Sequence, residues 1–170
     1  MSVLEKITKS ELKETLNLGW MTHDAMWFTQ SLNQLGIEQA NKLNIAAVLS
    51  MAKIEIRRLK KLLNTGNISN TIELKDFFDD LILIVMPKFM KFSFDQVDED
   101  VLRWVWEPGK CFAYRGIKKL GVVEGYQCGV LPRIQGWLEG LNIDYEMIPP
   151  VHGCQMHRTG ECSVDFKISF

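Results

Sequence analysis

Cys154-Gln-Met-His157-Arg-Thr-Gly160-Glu-Cys162 gathers two thiols and an imidazole around one glycine, and Cys128 stands upstream in a C-x25-C-x7-C spacing. Thiolates and imidazoles are the donors that a tetrahedral zinc ion takes. In a reducing compartment the four cysteines read as free thiols or ligands rather than disulfides, and the lack of a C-x-x-C pair argues against redox chemistry. With Cys128, Cys154 and Cys162 as ligands, the fourth donor stays open among His152, His157 and Cys111, preferred in that order. A closed shell would be structural and would contribute folding free energy, whereas three ligands with an open position would activate water. The plainer alternative is that the thiols are small buried hydrophobes.

A second constellation lies near the start of the chain, in Trp20-Met-Thr-His23-Asp24-Ala-Met26-Trp27-Phe28. Helical spacing sets His23 between two indoles on the apolar face, where it could act as a general base oriented by Asp24 or Glu55. Trp20, Trp27 and Phe28, with Trp104 and Trp106 from a later segment, could wall a pocket in which Asn41 and Asn44 orient a planar small molecule. The alternatives are that these indoles are core and His23 is hydrogen-bonded within it, or that His23, Asp24 and Glu55 form a helical metal site. The His-Asp pair of metal-dependent phosphohydrolases requires further histidines on other helices, and this chain has only three, two of them near the C-terminal cysteines.

The elements that must position these groups follow from the period of the apolar residues. Leu12, Leu16, Trp20, His23 and Trp27 recur at three- and four-residue spacing after Ser10-Glu11 and predict a helix over about 10–34, ended by Gly36. From Ile37 a second helix runs to Leu63, with Ile45, Val48, Leu49, Ala52, Ile56 and Leu59 on its buried stripe, Asn41 on that stripe, and Asn44 and Glu55 at its edge. Arg57-Arg58-Leu-Lys60-Lys61 is its solvated last turn. A third helix follows from Thr71 to Met86 and stops at Pro87.

Beyond Pro87 the period becomes two. Phe89 to Phe94 and Val101 to Trp106 read as a hairpin across an Asp-rich turn. Residues 110–120 read as helix, and a further helix through Cys128, Leu131, Ile134 and Leu138 ends near Gly140. Ile143 to Ile148 and Cys162 to Phe170 complete the strands. The order predicts an α+β fold, with helices over 1–87 packed on an antiparallel four-stranded sheet with two helices over 88–170, as one compact unit.

Composition narrows the function classes. In 170 residues, 46% are apolar, 24% charged and the net charge is −1, so a core forms without staples and no nucleic-acid footprint is present. The start of the chain lacks an apolar leader, and the run Leu81 to Met86 is too short to cross a bilayer, so a cytoplasmic protein without a membrane partner is expected. A homodimer is the default assembly.

The span from Cys128-Gly129 through Gly136-Trp-Leu-Glu-Gly140-Leu to Cys154 and Gly160-Glu-Cys162 resembles the 4-vinyl-reductase domain family of small-molecule-binding domains. That family includes phenol-sensing input domains of bacterial activators, in which a helix Cys, a Glu and two Cys flanking a Gly turn bind zinc. The resemblance implies zinc at Cys128, Cys154 and Cys162, while Val151 occupies the place of the family's Glu. Trp20 to Phe28 and Gly36 to Asn44 resemble an uncharacterised family of short stand-alone proteins of anaerobes. The overall layout is also loosely similar to L-2-amino-thiazoline-4-carboxylate hydrolase. The expectation is a zinc-containing protein that binds a small apolar or aromatic molecule between the helices and the α+β part, acting as a hydrolase- or isomerase-like enzyme or as a sensor that works through a partner.

Overall fold

The structure is a computed structural model that describes residues 3–170; the first two residues of the expected helical region lie outside it. It is an α+β fold in which helices precede and back a four-stranded antiparallel sheet. Helix α1 runs Lys9–Leu62 and opens with a capping box in which Thr8 and Glu11 satisfy each other's amides and side chains. The two helices expected here form one element broken at Gly36, whose φ of 77° and ψ of 169° are open to glycine and strained for any side chain. Helix α2, Thr71–Val85, is capped by Asn70 and ends before Pro87.

Strands β1, Phe92–Asp98, and β2, Val101–Trp106, form a hairpin, but β1 begins at Phe92 rather than Phe89 and takes in Asp95 to Asp98 of the expected turn, which leaves the reversal to Glu99 and Asp100. Helix α3 spans Phe112–Lys119, α4 Leu131–Gly140 and α5 Gln155–Thr159, while β3 covers Asp144–Ile148 and β4 Cys162–Ser169. Sheet order is β1-β2-β4-β3. The alternation in β2 and β4 turns Leu102, Trp104 and Trp106 to the same side as Val164, Phe166 and Ile168, all buried. On the opposite side Arg103 donates to both oxygens of Asp165, at 2.6 and 2.8 Å.

Two further features depart from expectation. Cys128 is not on a helix: Pro132 sits in the first turn of α4, so the helix starts at Leu131 and Cys128 remains in the approach segment. The turn between Cys154 and Cys162 contains the short helix α5, closed by Gly160 in the left-handed region.

The core joins α2, the sheet and α4 through aromatic contacts. The ring of Phe78 lies 5.0 Å from that of Phe94 and 5.5 Å from that of Trp137. Helix α4 also lies directly on the second half of α1. A Cβ at Gly136 would stand 2.6 Å from Ala52 Cβ and 2.8 Å from the Leu49 carbonyl oxygen. Among the described residues, no helix is long and apolar enough to cross a membrane.

Candidate functional site

A cavity of about 460 Å³ opens between the first half of α1 and α3. Trp20 and Phe28 come from one side, Phe112 and Ile117 from the other, and Tyr126 from the segment that approaches α4. Phe28 and Tyr126 meet edge to face at 6.0 Å. The amphipathic spacing of α3 explains its part in the wall. Phe112, Ala113, Gly116 and Ile117 fall on the face toward α1, leaving Arg115 and Lys118 exposed.

Asp24 and Asn44 carry polar groups into this apolar wall. Burial pushes the Asp24 carboxyl above its ordinary range, while the charges of Arg133 and His23 pull it down. Tyr126 accepts the backbone N–H of Gly129 at 2.9 Å, which leaves its own phenolic proton to donate. Thr29, also in the lining, donates to the Ala25 carbonyl within its own helix. Lys119 reaches the cavity from the exposed end of α3.

The expected catalytic group His23, Asp24 and Glu55 is divided. His23 turns with Trp27 toward a separate open groove, where Trp27 is 51% exposed. Glu55 is engaged elsewhere: its carboxylate accepts from Arg133 at 2.9 and 2.6 Å and from the Trp137 indole at 2.8 Å. Arg133 in turn lies 4.9 Å from the Trp20 ring centre and 5.3 Å from that of Trp137. A guanidinium held by a carboxylate between two indoles is a structural node, and it leaves Glu55 unable to orient His23.

Of the expected ligand-binding residues, Trp20, Phe28 and Asn44 line the cavity. Trp104 and Trp106 do not; both are buried in the core, their rings 6.0 Å apart. Asn41 is a brace. It donates to the Gly125 carbonyl at 2.8 Å and accepts from Gln127 N–H at 3.1 Å, pinning the segment that carries Tyr126 and Cys128 against α1.

The cysteines converge from four parts of the chain. Burial pushes the Cys111 thiol up to about 11, and Cys128 and Cys154 add to the rise. Burial raises Cys162 further, with contributions from Cys128, Cys111 and Cys154. Backbone amides oppose these shifts: those of Tyr114 and Ala113 at Cys111, of Leu131 and Val130 at Cys128, and of His157 and Met156 at Cys154. Each of these thiols therefore faces amides two and three residues ahead, which offset part of the rise that burial imposes.

The histidines stand apart from the thiols. His152 is exposed, and His157 is occupied by Glu124 at 2.8 Å beside the Tyr114 ring. Cys162 donates weakly to Gln155 Oε1 at 3.6 Å. As placed, no group of three or more His, Cys, Asp or Glu among the described residues is arranged to hold a metal ion.

Two participants were not among the expected site residues, the α3 wall and Arg133, and Cys111 was expected only as the last-ranked fourth donor. The α3 wall was visible in its amphipathic spacing, and Arg133 stood out as a cation amid apolar neighbours in its helix. Cys111 had no local signal, because its approach to the other thiols depends wholly on how α3 packs. No protein-family model matches the chain, and no curated protein matches it in sequence.

Proposed function

We propose that the protein binds a small apolar or aromatic molecule in the cavity between α1 and α3. The observation that carries this reading is an aromatic-walled cavity of about 460 Å³ whose lining includes the polar side chains of Asp24 and Asn44. The volume falls in the range of small-molecule sites, and flat rings suit a planar guest. If binding leads to turnover, as in a hydrolase- or isomerase-like reading, Asp24 is the acid–base group, since burial shifts the carboxyl at the cavity wall above its ordinary range.

The proposal includes zinc at the thiol cluster, in keeping with the resemblance to 4-vinyl-reductase domains. The donor chemistry fits: four buried or half-buried thiols act on one another, each with backbone amides that offset part of the rise imposed by burial. Cys111, Cys128, Cys154 and Cys162 would hold the ion, and binding would draw them closer together than they stand. A four-thiolate zinc is a structural clamp that contributes folding free energy. Free thiols also suit a reducing, cytoplasmic setting.

The test of the cavity is a calorimetric ligand screen on the wild type and on Gly116→Phe, which places a ring in the opening on α3. Binding that disappears in the variant while its fold persists supports the reading; equal binding by both proteins contradicts it. The test of zinc is elemental analysis of protein purified without an affinity tag. About one zinc per chain in the wild type, lost in Cys162→Ser, is the expected result, and metal-free wild type sinks the zinc assignment.

A further inference from the structure

Asp24 and Asn44 differ from the other polar groups around the cavity. Thr29 is bonded within its own helix, the Tyr126 oxygen accepts from Gly129, and Lys119 lies at the exposed end of α3. Asp24 and Asn44, by contrast, make no hydrogen bond to any described residue, although both line an apolar cavity. A carboxyl is half-buried there at a cost in solvation, with no donor supplied by the fold to repay it.

We propose that the ligand of this cavity carries a protonated primary amine on an aromatic or planar apolar body, with Asp24 as the residue that selects it. The inference rests on the cavity being the ligand site. An ammonium brings the donors that the Asp24 carboxylate and the Asn44 carbonyl lack, and a charge-assisted hydrogen bond is stronger in an apolar surround than in water. Trp20, Phe28, Phe112 and Tyr126 present ring surfaces that accept both a flat body and a cation.

The charges facing Asp24 are compatible with such a guest. From its own helix comes His23, from α4 Arg133, and from α3 Lys119. Arg133 is already paired with Glu55, and Lys119 lies at the exposed end of its helix, where it can turn to solvent. An ammonium guest pairs with the ionised carboxyl of Asp24, and acid removes that form, the sooner because burial shifts the group above its ordinary range. Affinity for a cation then falls in acid, while affinity for a neutral guest does not change.

Calorimetric titrations of the wild type and of Asp24→Asn with benzylammonium, benzyl alcohol and benzoate test this. The wild type should prefer benzylammonium over benzyl alcohol by about tenfold, the value of one charge-assisted hydrogen bond. Asp24→Asn should bind the two equally, with affinity for benzyl alcohol retained. A preference for benzyl alcohol or benzoate in the wild type, or a preference for benzylammonium that survives in Asp24→Asn, overturns the assignment while leaving the cavity as a ligand site. Failure of all three probes to bind the wild type overturns the cavity reading as well. Because Asn matches Asp in shape and removes a buried charge, the variant should fold. The acid dependence of benzylammonium binding by the wild type provides a second readout: a flat pH profile contradicts the proposal.

Discussion

Glu55 of α1 and Arg133 of α4 form a two-pronged ion pair, at 2.9 and 2.6 Å, with the guanidinium over the rings of Trp20 and Trp137. It is the polar centre of the helix pair on which the first half of α1 and the sheet both depend. Removing one member strands the other charge in a mostly buried place. Glu55→Ala should lower the unfolding free energy by about 3 kcal/mol or more. Urea denaturation measures it, and a change within about 0.5 kcal/mol would show the pair to be ornamental.

Gly136 sets how closely α4 approaches α1. An added methyl meets Ala52 Cβ and the Leu49 carbonyl oxygen, and a backbone oxygen cannot turn aside as a side-chain tip can. Gly136→Ala therefore forces the helices apart even though alanine is the better helix former. A loss of about 1–3 kcal/mol in thermal or urea unfolding is expected, against a small gain if the contact were slack.

Asn41 ties the approach segment of α4 to α1 through Gly125 and Gln127. Asn41→Ala leaves a carbonyl and an amide of that segment unpaired, at a cost of about 1–3 kcal/mol. Since Tyr126 lies between those two anchors, ligand affinity should fall with stability. Faster hydrogen exchange at residues 125–128 with an unchanged α2 is the expected pattern; uniform exchange would contradict a local brace.

Burial holds the Asp24 carboxyl above its ordinary range, so the folded chain keeps that proton to higher pH than the unfolded chain does. The contribution of the group is therefore whole below the unfolded pKa of about 3.9 and is lost as pH rises through the folded value. Asp24→Asn should be more stable than the wild type at neutral pH, and the difference should vanish in acid. Parallel melting curves from about pH 3 to 8 would contradict this.

Much of the fold was legible along the chain because its signals are local. The three- and four-residue spacing of α1, the break at Gly36, the stop at Pro87 and the alternation of Trp104, Trp106, Val164 and Phe166 each depend on a few consecutive residues. Phe28 and Asn44 were legible as members of an apolar site for the same reason. Cys128 read as helical because an apolar period runs through it, and only Pro132 moves the helix start beyond it.

Sequence by itself determined the α+β order, the aromatic and polar character of the stretch from Trp20 to Phe28, and the presence of thiols in one compartment of the chain. Tertiary structure alone decided which of these groups meet. Asp24 faces the cavity while its neighbour His23 faces away, since adjacent helical residues diverge by about 100°. Glu55 goes to Arg133 and Cys111 joins the other thiols, because partners so far apart in the chain are chosen by the angle and closeness of helix packing, which the glycines of α4 set.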